Sequence, residues 1–392
     1  MSNDTQPEIR FPGFTEDWEQ RKLGKLYKTY SGMTPLRSDS SNFENPTVPW
    51  IKTTDLRNTI IRSNEEKISD KAASKLRLLP VNTVLIAMYG GFNQIGRTGL
   101  LTYPATINQA LTALEPIEEI TSYFLITELN YRVNDWKRLA ASSRKDPNIT
   151  KKDVENFRLF YPLIVEQQKI GSFFQQLDHT IALQQRKLDL LKETKKGFLQ
   201  KMFPKNGAKV PEIRFPGFTE DWEERRLQEV VDRYDNLRIP ITASKRVAGN
   251  TPYYGANGIQ GYVEGYTHDG EFILVAEDGA NDLKNYPVQY VDGKVWVNNH
   301  AHVIQAKENL ADNMFLMNAI RSINIEPFLV GGGRAKLNAD VLMKLEVIIP
   351  LKSEQQKIGA FFKQLDDTIA LHQRELDVLK ETKKGFLQKM FV

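Results

Sequence analysis

The chain contains the same 38-residue segment twice. Residues 166–203 (EQQKIGSFFQQLDHTIALQQRKLDLLKETKKGFLQKMF) recur as residues 354–391, and 32 of the 38 positions are identical. A shorter match pairs residues 8–23 with residues 212–227, and 14 of its 16 positions are identical. The inserts between these matched segments, residues 24–165 and 228–353, show no comparable likeness. Such a duplicated frame predicts internal pseudo-two-fold symmetry, with two different surfaces in a fixed mutual relation.

The 38-residue segment is predicted to form one long helix. Its apolar residues alternate at steps of four and three, a heptad pattern typical of a helix that packs along another helix. We call these apolar positions the seam. They are Ile170, Phe174, Leu177, Ile181, Leu188, Leu191, Phe198 and Met202 in the first copy, and Ile358, Phe362, Leu365, Ile369, Leu376, Leu379, Phe386 and Met390 in the second. About 40 residues at about 1.5 Å each make a rod of roughly 60 Å.

The two predicted helices share one seam sequence, which favours packing against each other. We expect an antiparallel pair, because a two-fold axis perpendicular to the helices would then relate the two halves. The alternative is that each helix docks separately on its own globular domain. Polar residues interrupt the seam at the same places in both copies and are expected to set its register. These are Gln184 and Lys195, then His372 and Lys383.

The fold class that follows is α+β. It consists of two mixed α/β globular domains, separated and joined by two long helices packed as an antiparallel coiled coil. The predicted boundaries are 1–162 for the first domain with repeat 8–23, 163–203 for the first long helix, 204–211 for a linker, 212–350 for the second domain with repeat 212–227, and 351–392 for the second long helix. Hydrophobic patterns predict strands at 81–88, 157–161, 272–276, 295–297, 302–304 and 347–349, and helices at 120–130 and 313–321.

Composition restricts the possible chemistry. A formal net charge of +4 permits an acidic partner such as nucleic acid without requiring one. The absence of cysteine excludes disulfides, thiolate nucleophiles and cysteine-based zinc sites, and it fits a cytoplasmic location. We expect no membrane partner, since no apolar run approaches the roughly 20 residues that span a bilayer. The N-terminal residues also lack the pattern of a signal peptide.

Residues 91–98 (GFNQIGRT) have the spacing of a nucleotide-binding P-loop, with Arg97 in place of the lysine. A P-loop must open a helix. Here the residues that follow indicate a turn leading into a strand, so we favour a flexible loop that offers Asn93, Gln94 and Arg97 to base edges and phosphates. His300 and His302 could supply two metal ligands, but no third ligand is evident and a structural role is favoured. We find no methyltransferase, helicase or nuclease motif, so no catalytic residue and no metal site is predicted.

Two polar, basic loops stand at equivalent places, each before the last strand of its insert. They are residues 142–150 and 331–338, and the alternative is that they are ordinary solvated loops. The region 132–158 also carries eight basic residues against four acidic ones, with Trp136, Phe157 and Phe160 interleaved, and is a candidate phosphate-contacting surface. The predicted DNA-contacting residues are Asn93, Gln94, Arg97, Arg144, Lys145, Asn148 and Lys151 in the first insert, and Asn257, Asn281, Lys284, Arg334, Lys336 and Asn338 in the second. By contrast, Phe14, Trp18, Phe218 and Trp222 are predicted to be core or docking residues near the helices.

Short motifs recur in order along both halves. In the first half they are Phe11-Pro12-Gly13-Phe14, Trp18, Leu23-Gly24, Gly32-Met33-Thr34-Pro35, Trp50-Ile51, Asp55-Leu56, Asn108-Gln109-Ala110, Asn148-Ile149-Thr150, and Pro162 followed by Glu166-Gln167-Gln168-Lys169-Ile170. In the second they are Pro216-Gly217-Phe218, Trp222, Thr251-Pro252-Tyr253-Tyr254-Gly255, and Pro350 followed by Glu354-Gln355-Gln356-Lys357-Ile358. In their order and duplication these motifs resemble the specificity subunit of type I restriction-modification systems, over essentially the whole chain. Gln228 in place of Gly24 is a small departure.

This resemblance implies a division of labour among subunits. Each insert would be a target recognition domain that reads one half of a bipartite, asymmetric site in double-stranded DNA. The helices would set the gap and bind two methyltransferase subunits, which bring S-adenosylmethionine and methylate adenine. Nuclease/translocase subunits, which use ATP and Mg²⁺, would join through that core of two methyltransferases and one specificity subunit. This chain would then hold no cofactor and catalyse nothing itself.

Two other classes stay open at this point. One is a coiled-coil assembly scaffold without base-specific DNA recognition. The other is a phosphate-handling enzyme that uses Arg97 or Arg334.

Overall fold

The computed structural model describes residues 6–141, 147–205, 207–331 and 335–392. The chain divides into two compact units, the first formed by Met1–Gln184 with Glu375–Val392 and the second by Gln185–Arg374. Each unit therefore contains about half of each long helix. The predicted boundaries treat the long helices as separate from the globular domains. In the structure, each compact unit instead includes segments of both long helices, although these segments are far apart in sequence.

The helices of the described residues include two that are far longer than the rest. They are α1 (Leu23–Leu26), α2 (Asp70–Ala73), α3 (Ser122–Tyr131), α4 (Val133–Ala141), α5 (Lys151–Asn156), α6 (Ile164–Lys201), α7 (Leu227–Val230), α8 (Asn313–Ser322), α9 (Ala339–Lys344) and α10 (Lys352–Met390). Short 3-10 segments lie at Ser40–Asn42, Thr53–Asp55, Asp235–Leu237, Ala243–Lys245 and Glu326–Phe328. None of the helices in the described ranges is both long and apolar enough to cross a membrane.

The strands are short and alternate with turns. They are β1 (Glu19–Lys22), β2 (Tyr30–Ser31), β3 (Val48–Ile51), β4 (Thr59–Ile61), β5 (Lys67–Ile68), β6 (Val84–Ala87), β7 (Thr98–Leu101), β8 (Thr106–Ile107), β9 (Leu111–Leu114), β10 (Arg158–Tyr161), β11 (Glu223–Arg226), β12 (Val231–Arg233), β13 (Ala248–Gly255), β14 (Gly258–Val263), β15 (His268–Asp269), β16 (Phe272–Ala276), β17 (Val288–Val291), β18 (Lys294–Val297), β19 (Ala301–Ala306) and β20 (Glu346–Ile349). The strands and helices predicted from hydrophobic patterns lie where they were expected, within a few residues. The mixed, two-domain fold class is confirmed.

In the first unit a five-stranded sheet has the order β2-β9-β6-β7-β4 and a three-stranded sheet the order β5-β3-β8. Strand β6 is central, and all four of its residues are buried, as expected for an apolar run covered on both faces. Helix α3 packs against β6 and β7. In the second unit the four-stranded sheets have the orders β12-β19-β16-β17 and β14-β13-β18-β15, and the central strand β16 is fully buried. Thus β6 and β16 occupy corresponding places.

Within the first unit, the two long helices run antiparallel. The rings of Phe173 and Phe386 lie 5.0 Å apart, and Asp178 forms an ion pair with Lys383. From Phe173 to Asp178 the residue number rises along α6, while the contacting residue on α10 falls from Phe386 to Lys383. The two helices therefore run in opposite directions. Within the second unit the same arrangement joins Phe198 to Phe361, with ring centroids 5.0 Å apart.

An ion pair between Lys195 and Asp366 in the second unit corresponds to the Lys383–Asp178 pair of the first. The polar seam residues Lys195 and Lys383 thus form matching cross-helix contacts. The apolar seam residues predicted for both helices are all buried or half-buried. Opposite charges paired across a helix interface favour one register over others.

The N-terminal repeat anchors each unit to the start of a long helix. In the first unit the Arg10 guanidinium donates to both carboxylate oxygens of Glu166, at 2.9 and 2.7 Å. In the second, Arg214 donates to Glu354 at 2.7 and 2.8 Å. Both carboxylates are almost fully buried, so these charge-assisted bidentate pairs keep buried charges compensated.

The aromatic residues of the repeat lie in the cores or against the long helices. Trp18 is buried against Phe391, with ring centroids 6.0 Å apart, and Trp222 is buried in the second core near Phe203. Phe14 and Phe218 each lie beneath a lysine of the adjacent long helix, Lys169 and Lys357 respectively. They lie in the core or beside the helices, as the sequence predicted.

Candidate nucleic-acid interface

In the first unit, residues 88–97 form a loop between the antiparallel neighbours β6 and β7. Gly91 and Gly96 have positive φ angles of 83° and 74°, which favour glycine. A Cβ at Gly96 would lie 2.7 Å from the Trp136 side chain. The loop leads into strand β7 rather than a helix, so the P-loop interpretation is excluded. Asn93 is exposed on this loop, whereas Gln94 and Arg97 are half-buried.

The segment 147–151 lies beside this loop. The Ile149 N–H donates to the Met88 carbonyl at 3.1 Å, and the Ile149 side chain is fully buried. Thr150 caps helix α5 by accepting from the Asp153 N–H at 3.2 Å, and the Asp153 carboxylate accepts from the Thr150 N–H in return. Ile149 is thus a buried anchor. It is flanked by half-buried Asn148 on one side and by Thr150 and the exposed Lys151 on the other.

The second unit repeats this arrangement with different residues. The Leu337 N–H donates to the Glu277 carbonyl at 2.7 Å, and the Leu337 side chain is fully buried. Glu277 directly follows β16, as Met88 directly follows β6. Leu337 stands two residues before α9, as Ile149 stands two residues before α5. The two polar segments predicted at equivalent places in the sequence are therefore equivalent in the fold.

Of three predicted residues of the second unit, two lie in the segment around Leu337. Lys336 forms an ion pair with Glu277 at 2.9 Å, while Asn338 is exposed at the N-cap of α9. Lys284 is exposed in the loop between β16 and β17.

Asn257 forms hydrogen bonds with a neighbouring loop of the second unit. It lies in the turn between β13 and β14, and its side-chain Nδ2 donates to the Gly279 carbonyl at 2.9 Å. Its Oδ1 accepts from the Asn281 N–H at 2.9 Å. Both ends of the amide therefore hold residues 279–281 in place. Asn257 and Asn281 thus lie together, and Asn257 acts as a brace for the loop, while its contact with DNA stays a prediction.

A buried ionic cluster lies directly beneath the Leu337 segment. His302 contacts Asp235 through Nδ1 at 2.8 Å and the Leu337 carbonyl through Nε2 at 2.8 Å. Arg238 donates to Glu277 at 2.6 Å and lies 3.6 Å from Asp235. These side chains are at most 15% exposed.

Electrostatics keeps both carboxylates of this cluster ionised. Burial opposes ionisation of Asp235, yet hydrogen bonds from His302 and the Val303 N–H, together with Arg238, hold its pKa below the ordinary range. Burial likewise opposes ionisation of Glu277, while Arg238 and Lys336 hold the pKa of that carboxyl below its usual value.

The two histidines considered as metal ligands pair with carboxylates instead. His300 contacts Asp278 through Nδ1, and His302 contacts Asp235. In the described ranges, no group of three or more histidine, aspartate and glutamate residues is arranged to hold a metal ion.

The aromatic residues of the basic region 132–158 are not an exposed phosphate-contacting surface. Trp136 is buried and stacks on Phe157 with ring centroids 3.9 Å apart. The Arg132 guanidinium lies over the Phe157 ring and forms an ion pair with Asp135 at 2.8 Å, so it is already engaged in contacts within the unit. Trp136 on α4 and Phe157 before β10 therefore pack in the core, whereas the basic residues of the region stay a predicted phosphate-contacting surface. The predicted contacts Arg144, Lys145 and Arg334 lie outside the described residues.

Sequence reasoning missed the ionic cluster beneath the second loop. Asp235, Glu277 and His302 are distant in sequence, so no local spacing reveals them. The one available signal was His302 itself, since a histidine inside a strongly apolar strand needs buried polar partners. The strand was predicted, but its partners were not.

Comparison with known proteins decides the family. Two regions of the chain, residues 15–193 and 219–381, match the family described as type I restriction modification DNA specificity domain. The chain belongs to the type I restriction-modification specificity family. Each match covers one insert with most of its frame, so the duplication seen in the sequence is a duplication of this family's domain.

Curated relatives agree with this assignment. A putative type I restriction enzyme specificity subunit of Haemophilus influenzae is 47% identical over 154 residues, which is 39% of this chain and 39% of that relative. The chain thus matches about two fifths of the length of that relative, and 41% of the EcoR124I/EcoR124II specificity subunit of Escherichia coli. The EcoprrI specificity subunit of Escherichia coli is 24% identical over 88% of this chain and 86% of its own length.

The fold is also that of a specificity subunit. The crystal structure of the type I restriction-modification S subunit from M. genitalium aligns with a TM-score of 0.71 at 15% identity, covering 99% of both chains. The prediction that the chain belongs to this family, with one copy of the family's domain in each half, is confirmed.

Proposed function

We propose that this chain reads a bipartite, asymmetric DNA site, one half with each unit, for a multi-subunit type I restriction-modification enzyme. The observation that carries the proposal is the equivalence of two polar segments. In both units a buried residue, Ile149 or Leu337, donates its N–H to the carbonyl that follows the central strand. Equivalent anchors hold different side chains at the same place in each unit. Two related domains that recognise different half-sites require such a combination of a shared backbone position and different side chains.

The two kinds of side chain would divide the work. Exposed lysines such as Lys151 and Lys284 suit phosphate contacts, which fix position on the duplex without reading sequence. Amides and guanidinium groups such as Asn93 and Arg97 suit base edges in the major groove. The gap between half-sites would be set by the long helices.

The helices would also dock two methyltransferase subunits. Leu190 on α6 is 66% exposed, and its counterpart Val378 on α10 is 65% exposed. Apolar residues exposed at matching positions of both frame copies suit a partner that binds twice, once to each copy. Those subunits would bring S-adenosylmethionine, and nuclease/translocase subunits would bring ATP and Mg²⁺. The chemistry would therefore belong to the partners, and chromosomal DNA as the target implies action in the cytoplasm.

A domain exchange tests the proposal. Methylated adenines are mapped in the genome of a host that carries the chain, and again after residues 24–150 are replaced by the corresponding insert of a relative. We expect one half of the methylated motif to change while the other half and the gap stay the same. A matched exchange of residues 228–338 should change only the other half. A change in both halves from one exchange would contradict the modular reading, and no methylated motif would contradict the function.

The spacer role has its own test. Inserting four residues, about one helical turn or roughly 6 Å, into each long helix should lengthen the gap by one or two base pairs. An unchanged gap in an active variant would refute a spacer role for the helices.

A further inference from the structure

His302 lies on β19 of the second unit and is 1% exposed. Its Nδ1 is 2.8 Å from the Asp235 carboxylate, and its Nε2 is 2.8 Å from the Leu337 carbonyl oxygen. A carbonyl and an ionised carboxylate only accept hydrogen bonds. Both contacts are hydrogen bonds only if both imidazole nitrogens donate, and this is the charged form of the ring.

The groups around the ring fit that charge. From the turn after β12, Asp235 and Arg238 face it, and from the end of β16, Glu277 lies 3.6 Å from Nδ1. The more exposed Lys336 and Arg233 lie at the edge of the cluster, at 2.9 Å from Glu277 and 3.9 Å from Asp235.

Two buried carboxylates are thus matched by two buried cations, one of them His302. Deprotonation of His302 would leave those carboxylates with Arg238 as their one buried cation among the described residues, since Lys336 and Arg233 are each at least 40% exposed. It would also remove the N–H that His302 donates to either the Leu337 carbonyl or the Asp235 carboxylate. Unpaired buried groups of this kind are costly.

This cluster holds the polar segment 335–338 from beneath. The Leu337 carbonyl accepts from His302, the Leu337 N–H donates to the Glu277 carbonyl, and the Lys336 ammonium pairs with the Glu277 side chain. Both hydrogen-bonding groups of the Leu337 backbone are therefore engaged by the cluster. The charge on His302 is coupled to the position of the segment.

The first unit has uncharged residues at the positions that correspond to His302 and Glu277. Thr112 on β9 pairs with Ile86 on β6, as His302 on β19 pairs with Val275 on β16. The Thr112 hydroxyl contacts the Met88 sulfur at 2.8 Å, where the second unit has Glu277. Threonine and methionine do not titrate.

We propose that His302, in its charged form, is a positioning residue for DNA reading by the second unit, and that recognition of one half-site therefore weakens as pH rises while recognition of the other does not. This inference rests on the proposed function and adds a regulation that only one of the two readers possesses.

The test measures each half-site separately. The full chain is purified from its host with its bound subunits. Duplexes carrying the site mapped by methylated adenines are compared with duplexes in which one half-site or the other is scrambled. Discrimination by each half is then followed from about pH 5 to about pH 8, the range in which histidine side chains ordinarily change charge. We expect discrimination of the second unit's half-site to fall about tenfold or more, the effect of losing a hydrogen bond to a charged group. Discrimination by the first unit should stay level.

Two variants assign the effect to His302. His302→Gln should give weak second-half discrimination that no longer depends on pH, whereas the matched control His300→Gln should keep the wild-type pH profile. If His302→Gln does not fold, the double variant Glu277→Met with His302→Thr is used instead. It introduces the uncharged pair that the first unit has at these positions, Met88 and Thr112. It should also show no pH dependence.

Three results would overturn the inference. They are a level pH profile in the wild-type chain, a pH profile unchanged by these variants, and an equal pH effect on both half-sites. An absence of sequence-specific binding at every pH would instead contradict the proposed function.

Discussion

Asn257 offers a direct test of how the second reading surface is built. Its side-chain amide joins the turn after β13 to the loop after β16 through the Gly279 carbonyl and the Asn281 N–H, both at 2.9 Å. Asn257→Ala removes both hydrogen bonds but no buried apolar contact, because the residue is exposed. In this variant we expect the loop to be less ordered in the free protein, so that DNA binding must order it.

The magnitude follows from the two bonds. Each contributes a net of about 0.5–1.5 kcal/mol, so the pair contributes about 1–3 kcal/mol, or roughly 5- to 150-fold in affinity for the second half-site. The assay is competition binding with duplexes that carry one base substitution at a time. A brace should weaken discrimination at several positions of the half-site together. Asn309→Ala, an exposed amide at the far end of β19, serves as the control and should change nothing.

The reasoning would be refuted if Asn257→Ala relaxed a single base position and left the others intact. That result would identify a direct base contact. A loss smaller than about twofold would show that the loop is held by other contacts, contrary to the estimate from its hydrogen bonds.

Three further predictions concern the charged residues. Glu354→Gln should lower the free energy of unfolding of the second unit by about 3 kcal/mol, measured by hydrogen exchange, because it leaves Arg214 without its buried carboxylate partner; a loss below about 1 kcal/mol would contradict a structural role for the pair. Burial raises the pKa of Glu128 to about 8. The first unit should therefore lose stability as pH rises from the ordinary glutamate pKa towards 8, by up to about 1.4 kcal/mol per pH unit, and Glu128→Gln should flatten this slope in thermal unfolding. Arg97→Ala should cost about 1–3 kcal/mol and relax one base position if Arg97 reads a guanine, whereas a uniform loss in binding assays across sequences would identify a phosphate contact.

Local patterns were sufficient for much of the fold. The heptad spacing placed α6 and α10 within a residue or two at each end, and apolar runs placed β6 and β16. Pattern alone also placed the two polar segments at equivalent points, because each precedes the last strand of its insert. These features depend on neighbours close in sequence, which is why one sequence reveals them.

Features that depend on distant partners were not accessible in this way. An exposed asparagine in a turn has the same local signature whether it faces a ligand or, like Asn257, holds a loop 22 residues away. Trp136 lies in a basic region of the sequence, and only the packing of α4 against Phe157 shows that its side chain is buried. His302 and Asp235 are 67 residues apart, and only the sheet brings them together.

The core of the first unit includes residues from the far end of the chain. Phe391 stacks on Phe124 with ring centroids 5.5 Å apart and lies against Trp18, so both aromatic residues are covered by a side chain more than 260 positions later in the sequence. During synthesis on the ribosome, the first unit therefore stays incomplete until translation has reached Phe391. The second unit is closed by Phe203 and ends at Arg374, so all its core residues are synthesised before Phe391. The domain encoded first is thus expected to be the last to mature.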